Sequence, residues 1–463
     1  MKQKRILSII LTISIIVTSF LSVVQISAQT EEASNQVVQV AATEDGSVQT
    51  VARPIEPTKK FIISSKYDFA LFMTTSEFWE SNYKVTLACD IDMGERAFNP
   101  IKEFDGVFDG CGHTISNLKI QDKSGKSKNA ELSFINTLNE NAEIENVKFD
   151  NYTIEGKSYI KKVAVFVLTN YGIISGIDFI NGGINGIDEK ARTAGFVLSN
   201  EEDGAIENCF INMNTNGSKI RSGFVGTNLG KITKCSTTLS SNNKDLAGGF
   251  VGENVGAIEK CNSKGNVESK KCAGGFCGKN SGEIISCKSE NNVTSKTKST
   301  KVATICGGFV GENSGIIKES RSAGKVEGQE FTGGFAGINN DYGEIISCDT
   351  TCYVKSHTYV ANINCGGFVG LDEGKIENCT FDGKVDGCVD SEKVVGTAVG
   401  IAVGIIAIAA GIRLLVKKYY TIPKLKNEVK NAENECYIAE DAYNKLTGDQ
   451  CFDGQNELAK YIT

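Results

Sequence analysis

The sequence predicts an all-β chain dominated by a parallel β-helix, a solenoid of about ten coils, with one C-terminal transmembrane helix and a short helical tail. Two observations carry the solenoid prediction. A phenylalanine flanked by glycines recurs roughly every 26 residues, and three further residue types recur at fixed distances from it. A fixed period of this length indicates units that bury their apolar faces against neighbouring units.

The phenylalanine position is clearest where the chain has the form Gly-Gly-Phe-x-Gly. These five cores are centred on Phe250, Phe276, Phe309, Phe335 and Phe368. Looser copies are centred on Phe108, Phe134, Phe166, Phe196 and Phe224. The intervals between copies differ by a few residues, which indicates insertions in the loops of otherwise equivalent coils.

Three other positions repeat with the phenylalanine. Four residues after it stands an asparagine in seven copies, which are Asn170, Asn200, Asn228, Asn254, Asn280, Asn313 and Asn339, with Asp372 in the last. A small residue follows later, and it is Cys209, Cys235, Cys261, Cys287, Ser320, Cys348 or Cys379. Three residues before each of these is an isoleucine. Each unit is therefore predicted to contain two short strands, a turn and a polar stretch.

Equivalent residues of stacked coils are expected to form ladders about 4.8 Å apart, so that ten coils would give a rod on the order of 50 Å long. We expect the asparagines at a corner, because Asn tolerates the left-handed conformation and stacked amides can hydrogen-bond. A leucine-rich repeat is the main alternative, but its leucine-dense pattern is absent and glycine supplies 49 of the 463 residues.

These units resemble GLUG repeats, which occur in bacterial surface proteins. The preceding segment, from Tyr83-Lys84-Val85 through the Phe108-Asp109-Gly110-Cys111-Gly112-His113 turn, resembles the opening of right-handed β-helix domains of such proteins. Together the two resemblances cover roughly residues 60–385. They imply a right-handed, pectate-lyase-like β-helix displayed outside the cell, as a scaffold or adhesive surface rather than as a catalyst.

The ends of the chain predict export. Residues 1–28 begin with basic residues, continue with an apolar run and end in Ser27-Ala28, as a secretory signal peptide does. An uncleaved anchor is the alternative. Residues 29–57 are polar, are closed by Pro54 and Pro57, and are predicted to be a flexible spacer before an ectodomain at 58–392.

A second apolar run predicts a membrane anchor. Residues 394–416 are uncharged up to Ile412, long enough to span a bilayer core of about 30 Å. Arg413, Lys417 and Lys418 follow, which predicts that residues 417–463 form a cytoplasmic tail. The expected localisation is the cell membrane, single-pass, with the N-terminal ectodomain outside. The alternative is a buried helix, for which a β-helix has no room.

The 16 cysteines of the chain permit disulfides after export. Their regular spacing instead favours small buried fillers, because residues stacked on parallel strands seldom meet the torsion that a disulfide needs. Cys209, Cys235, Cys261 and Cys287 are expected to be mostly free thiols, whereas Cys272, Cys306 and Cys365 are left open. No CxxC pair occurs, so no structural zinc site is predicted.

The sequence supplies few candidates for catalysis. We assign no catalytic, cofactor-binding or metal-binding residue, expect no cofactor, and leave the ligand-binding residues unknown. His113 is expected to be structural and His357 to lie in an exposed loop. The enzymatic alternative is a polysaccharide lyase or hydrolase, which needs clustered carboxylates. Glu253 and Glu312 occupy equivalent positions, but Lys279 stands between them.

The expected function is therefore that of a non-enzymatic, adhesin-like surface protein that binds an extracellular glycan or protein. The 56 acidic and 49 basic residues argue against nucleic acid as a partner. The likeliest contact regions are the insertions at 289–304 and 353–364, which are expected to project as loops.

Two patterns favour a homodimer. Small residues recur every three or four positions along the predicted span, at Gly396, Gly400, Gly404, Ala407 and Gly411. The tail carries a heptad-like seam, consisting of Leu425, Val429, Ala432, Cys436, Ala439, Tyr443 and Leu446. The alternative is that the glycines only face lipid, since glycine is common in spanning helices.

Overall fold

The structure is a computed structural model that describes residues 38–42, 48–52, 57–122, 130–157, 159–187, 191–214, 220–295, 304–356 and 364–386. The chain divides into two compact units, Met1–Glu56 and Pro57–Thr463. In the first unit, Val38–Ala42 pairs with Val48–Ala52 in antiparallel fashion. These two strands lie within the segment predicted to be a flexible spacer.

The second unit is a parallel β-solenoid with almost no helix. The predicted β-helix is thus found, and ten parallel strands stack in one of its sheets. One turn shows the plan: the chain passes through Leu246–Gly248, Val251–Asn254, Ala257–Glu259 and Asn262–Ser269. Each of these strands pairs in parallel with its equivalent one turn later.

The first face, called here the Asn sheet, contains ten parallel strands. Its strands are Ile101–Phe104, Ile135–Leu138, Val167–Asn170, Val197–Asn200, Val225–Asn228, Val251–Asn254, Cys277–Asn280, Val310–Asn313, Ala336–Asn339 and Val369–Asp372.

A second face, called here the Gly sheet, precedes the Asn sheet in each turn. Three strands form it in the early turns and five in the later ones, and Ser222 bridges Ala194 to Gly248 between the two groups. Its strands are Ala130–Leu132, Ile160–Ala164, Arg192–Ala194, Leu246–Gly248, Cys272–Gly274, Ile305–Gly307, Phe331–Gly333 and Cys365–Gly366.

The remaining faces form one sheet of 28 strands, called here the large sheet. Its strands are Lys59–Ile63, Tyr83–Leu87, Ile91–Asp92, Ala97–Phe98, Val107–Asp109, Thr114–Ser116, Lys119–Gln121, Glu143–Asp150, Thr153–Glu155, Ile173–Asn185, Ala205–Glu207, Phe210–Asn214, Lys231–Thr233, Ser236–Thr237, Ser241–Asn243, Ala257–Glu259, Asn262–Ser269, Glu283–Ile285, Lys288–Ser295, Ile316–Lys318, Arg321–Ala323, Lys325–Gly328, Glu344–Ile346, Asp349–Thr350, Tyr353–Ser356, Lys375–Glu377, Thr380–Phe381 and Lys384–Asp386.

The predicted internal phenylalanine ladder is confirmed. The rings of Phe250, Phe276, Phe309 and Phe335 are fully buried, and successive centroids are 4.8, 5.0 and 4.8 Å apart with nearly parallel planes. The ladder begins at Phe134 and continues to Phe368. Offset stacking of aromatic rings adds to the stabilisation that comes from burying them.

Phe108 does not belong to this ladder, contrary to the prediction. It pairs with Val85 on one side and Ile144 on the other on the large sheet, so it belongs to the column that continues as the isoleucine ladder. The phenylalanine position of that turn is occupied by Pro100, since the amide of the next residue, Ile101, donates to the carbonyl of Phe134. The residues around Phe108 therefore resemble the repeat unit in sequence, but their strand does not pair with the strands of the phenylalanine ladder.

The asparagines form a buried hydrogen-bonded ladder, as predicted. Each Nδ2 donates to the Oδ1 of the next member at 2.6 to 2.8 Å, from Asn170 through Asn339 to Asp372. Their backbone is not left-handed, however. The left-handed corner lies one residue before each member of the cysteine ladder, with φ of 50° to 54° at Asn208, Lys234, Lys260, Ser286, Glu319, Ser347 and Asn378.

A helix covers the first turn, and the sequence analysis did not predict it. Helix Lys66–Phe72 starts at Ser65, whose hydroxyl accepts a hydrogen bond from the amide of Asp68. Its Phe69 and Phe72 are buried, and the Phe72 ring lies 5.3 Å from that of Phe108. A 3-10 helix, Ser76–Trp79, follows. Two buried aromatic residues thus protect the end of the core from water.

Among the residues that the structure describes, no helix has the length and apolarity needed to cross a membrane. The predicted span at 394–416 and the predicted tail at 417–463 lie outside those residues.

Candidate functional site

A polar recess lies on the outside of the large sheet near the C-terminal end of the solenoid. Its volume is about 400 Å³. We call it the Arg321 groove, and its lining residues are Arg321, Ser347, Cys348, Asp349, Thr350, Thr351, Asn378, Thr380 and Asp382. These residues come from three successive turns, so the groove exists only when the turns are stacked in register.

The charged wall of the groove is an ion pair between successive turns. Arg321 and Asp349 are register partners on neighbouring strands, and Nε of Arg321 lies 2.5 Å from Oδ2 of Asp349. The hydrogen bond from Arg321 to this carboxylate, together with its charge, raises the pKa of the guanidinium further above its already high value. The cation therefore stays charged at any physiological pH, and one carboxylate of the groove is neutralised.

The rest of the groove offers uncharged hydrogen-bonding groups and one further carboxylate. Ser347 and Asn378 occupy left-handed corners, with φ of 54° and 52°, which turn both side chains to the exposed surface. Thr351, Thr380 and Asp382 are exposed on the strands and turns that follow. Hydroxyl, amide and carboxylate groups of this kind can donate to and accept from a hydroxyl-rich ligand.

An aromatic residue stands on the next strands of the same turns. Tyr353 pairs in register with Lys325 on one side and Lys384 on the other. Their Nζ atoms lie 5.9 and 5.6 Å from the ring centroid, and the phenol donates to Asp386 at 2.9 Å. Since a cation lies over the ring on both sides, Tyr353 is a fixed part of the surface and not an open stacking platform.

The insertions predicted as contact loops are partly strands. Residues up to Ser295 belong to strand Lys288–Ser295, and Tyr353–Ser356 is a strand as well. Within the first, Ser289 and Asn291 are fully buried. The prediction of projecting loops is therefore wrong for 289–295 and 353–356, because β-pairing with neighbouring turns extends into both insertions. The central parts, 296–303 and 357–363 with His357, lie outside the described residues.

The other residues considered from sequence occupy structural surroundings. Nδ1 of His113 lies 3.2 Å from Oδ1 of Asp90, which also accepts from the amide of Thr114. Asp90 thus joins one turn to the next. Glu253, Lys279 and Glu312 are register neighbours as expected, and Lys279 Nζ lies 2.6 Å from Glu312 Oε2. That column therefore separates its two carboxylates by a cation.

The cysteine ladder is internal. Backbone amides of Cys209, Cys235 and Cys261 each donate to the sulfur of the next member at 3.3 to 3.4 Å. All four predicted thiols of this ladder are free, as are Cys272 and Cys306, whereas Cys365 is disulfide-bonded. Burial raises the pKa of Cys209 and Cys261 well above the usual thiol value, so both stay protonated. Within the described ranges, no group of three or more His, Cys, Asp or Glu side chains could hold a metal ion.

The groove residues were not identified from the sequence. Arg321, Asp349 and Asp382 are single polar residues in segments without a repeated motif, and an outward position looks like any solvated one. The signal that could have found them is the column Arg321, Asp349, Thr380, which becomes visible only once the turns are aligned.

Comparison with known proteins leaves the function open. No family model matches the chain. Halomucin of Haloquadratum walsbyi is 32% identical over 111 residues, which is 23% of this chain and 1% of halomucin. A candidate immunoglobulin A1 protease of Bacteroides ovatus superimposes with a TM-score of 0.34 and 16% identity, over 69% of this chain and 84% of that protein. A TM-score this low supports no inference about this chain from that protein.

Proposed function

We propose that the chain is a membrane-anchored cell-surface protein whose solenoid displays a binding surface for an extracellular glycan or protein, with the Arg321 groove as its contact site. The groove is the observation that carries the proposal. It combines one ion-paired cation, two carboxylates and several hydroxyl and amide groups in an open recess. The signal-like residues 1–28, the apolar run 394–416 and the match to a segment of halomucin support a location at the cell surface.

The construction of the solenoid supports binding by a rigid surface. Ladders of phenylalanine and asparagine fix successive turns in register, so outward side chains are held at fixed separations. Preorganised groups lose little conformational entropy when a ligand binds, which favours affinity. Outward positions also recur at the spacing of one turn along the solenoid axis, a geometry suited to an extended ligand.

A carbohydrate-active enzyme on the same solenoid is the second candidate. One observation favours it: Asp349 and Asp382 line the same groove, and glycoside hydrolysis uses two carboxylates. Against it, the Asp349 carboxylate is already occupied by a hydrogen-bonded ion pair with Arg321.

The experiment uses the full-length protein in detergent micelles or nanodiscs with an array of neutral and acidic glycans and extracellular proteins. We expect a ligand that binds without being cleaved, and we expect Asp382→Ala and Arg321→Met to weaken that binding. Asp341→Ala, which changes an exposed carboxylate that does not line the groove, serves as the matched control and is expected to bind normally. Sustained release of shortened glycans would establish the enzymatic candidate instead.

Four more specific expectations are part of the same proposal. They are the right-handed winding, the grouping with GLUG-repeat surface proteins, the spanning helix at 394–416 and a homodimer through that helix and the tail.

Crosslinking in membranes tests the dimer, with Gly400→Ile as the comparison. A wild-type protein that crosslinks no better than this variant would contradict pairing through the small-residue face.

A further inference from the structure

Arg221 lies on the outer surface at the junction between the Gly sheet and the Asn sheet. It directly precedes Ser222, which bridges the early and late strands of the Gly sheet. Its side chain is 24% exposed and extends over the next turn, where Nε lies 3.5 Å from the position that a Cβ on Gly252 would take. The guanidinium is therefore largely buried although it stands at the surface.

Within the described part of the chain, no side chain or backbone group forms a hydrogen bond with this guanidinium. Nη2 lies 3.9 Å from Oε2 of Glu253, which is too long for a hydrogen bond. Nε is buried and has no hydrogen-bond partner among the described residues. A guanidinium presents five N–H donors, and a buried donor without an acceptor is strongly unfavourable, more so on a charged group. The site therefore lacks an acceptor.

The charges around Arg221 are mixed, with a second arginine close to it. The amide of Arg221 donates to the carbonyl of Thr193 at 3.1 Å, so Arg192 stands one residue away on the neighbouring turn. Burial lowers the pKa of the Arg221 guanidinium, and the positive charge of Arg192 lowers it further, while Glu253 and Asp245 oppose both effects only in part. Arg321 shows the contrast, because its close contact with Asp349 raises its pKa.

A column of hydroxyl groups lies beside this position on the outside of the Asn sheet. Thr169, Ser199 and Thr227 are register neighbours on successive strands, and Glu253 follows them on the next. All three hydroxyl residues are partly exposed. The Ser199 hydroxyl donates to Oε1 of Glu201 at 2.6 Å, whereas Thr169 and Thr227 offer hydroxyl groups that can exchange hydrogen bonds with a hydroxyl-rich ligand.

We propose that Arg192 and Arg221 form an anion-binding site that takes the carboxylate or sulfate group of an acidic extracellular glycan. The planar guanidinium fork matches either group and donates to it with two parallel hydrogen bonds. The hydroxyl column contacts the sugar rings that carry the anionic group. The site rests on the proposed function in that its ligand is extracellular, but it lies on different sheets from the Arg321 groove.

The test measures binding of the full-length protein to polygalacturonate, chondroitin sulfate, dextran and poly-glutamate at low and physiological salt. Polygalacturonate carries carboxylates alone, chondroitin sulfate carries carboxylates and sulfates, dextran is neutral, and poly-glutamate stands for an acidic peptide. We expect at least one acidic glycan to bind more tightly than dextran and poly-glutamate, and its affinity to fall about tenfold or more in Arg221→Met and less in Arg192→Met. That loss corresponds to the removal of a charge-assisted hydrogen bond.

The matched control is Arg96→Met, which removes the same charge from an exposed arginine that stacks on Phe98. It is expected to bind acidic glycan like the wild type. Equal weakening by Arg96→Met and Arg221→Met would overturn the proposal, since net charge alone would then explain binding. Unchanged binding in Arg221→Met, or poly-glutamate that binds as tightly as the glycans, would overturn it as well.

Folding is checked by thermal unfolding of each variant, and Arg221→Lys provides a second readout. It keeps the charge but loses the fork, so its affinity is expected to lie between those of the wild type and Arg221→Met. Failure here is distinguishable from failure of the proposed function: the groove variants Asp382→Ala and Arg321→Met report on ligands of the groove, whereas only Arg221→Met and Arg192→Met report on the anion.

Discussion

Nδ2 of Asn339 donates a 2.8 Å hydrogen bond to Oδ1 of Asp372. All other successive pairs of the ladder join two asparagines, in which one amide nitrogen donates and the next amide oxygen accepts. A terminal asparagine would leave its own amide nitrogen without an acceptor in the ladder, whereas an aspartate has only acceptors. The last described turn therefore carries the residue type that suits the end of a directional chain of hydrogen bonds.

Asp372 makes stability depend on pH. Burial raises the pKa of its carboxyl group, although hydrogen bonds from Asn339 and Gly374 oppose the shift. Because the folded-state pKa exceeds the unfolded one, the contribution of the protonated group is complete below the ordinary carboxyl pKa and is lost as pH rises through the folded value. We expect the free energy of unfolding of Asp372→Asn, minus that of the wild type, to increase between about pH 4 and pH 7. Chemical denaturation at several pH values measures it. Parallel pH profiles would contradict this role.

The middle of the asparagine ladder is expected to be sensitive to a loss of hydrogen bonding at constant size. Asn254→Leu leaves the donor of Asn228 and the acceptor of Asn280 without their ladder partner. Each buried group left unpaired costs about 1–3 kcal/mol. Asn262→Leu, at an exposed position on the large sheet, is the control and should change stability by less than about 0.5 kcal/mol. Equal stabilities of the two variants would show that the ladder is not a source of stability.

The phenylalanine ladder predicts a large but local effect. Phe276 is fully buried between Phe250 and Phe309, at 4.8 and 5.0 Å. Phe276→Ala is expected to destabilise by about 3–5 kcal/mol, since it leaves a cavity in a packed core. Because turns of a solenoid contact only their neighbours, amide hydrogen exchange should speed up near residues 250–310 first. Tyr342→Ala, at a side chain that is 85% exposed, should have almost no effect.

Thiol chemistry separates the surface from the core. Cys111 is exposed, whereas Cys209, Cys235, Cys261 and Cys287 are buried in the ladder. Because the thiolate is the reactive form and a reagent cannot reach a buried sulfur, we expect a thiol reagent to label Cys111 well before the ladder, at a rate that increases with alkaline pH since desolvation and Asp109 raise the pKa of the Cys111 thiol. The ladder should react only after unfolding. Mass spectrometry of labelled peptides distinguishes the sites, with Cys111→Ser as the control. Rapid labelling of Cys235 or Cys261 in the native protein would contradict the packing.

Much of the solenoid could be predicted because its inner positions repeat one residue type. Phe276, Asn280, Ile284 and Cys287 each recur at nearly the same spacing, and stacking in register follows from the shared period. Phe108 misled the alignment, since its local glycines matched the repeat while its strand pairing did not. Composition and register are separate properties, and a single sequence shows only the first.

The corners and the first helix were missed for different reasons. Lys234, Lys260 and Glu319 hold φ near 50° to 54°, a conformation that such residues rarely adopt. Packing of the turns imposes it, so no local propensity could indicate it. The helix did leave signals, namely Ser65 and Asp68 at its start and Phe69 and Phe72 on one face, but its 7 residues are too few to show a helical period of apolar positions. The Arg321 groove could not be predicted because its residue types do not recur at equivalent positions of other turns.

Because the four inner ladders share one register, whole turns can be added or removed without changing the contacts between neighbouring turns. Removal of residues 250–275 would join Gly249 to Phe276 and bring Phe224 onto Phe276, Asn228 onto Asn280 and Cys235 onto Cys287, which are the same pairings between residue types as before. Duplication of the same 26 residues would lengthen the solenoid without a new kind of contact. Such a protein can change its reach by whole-unit insertion or loss in its gene, while the first helix and Asp372 keep both ends unchanged.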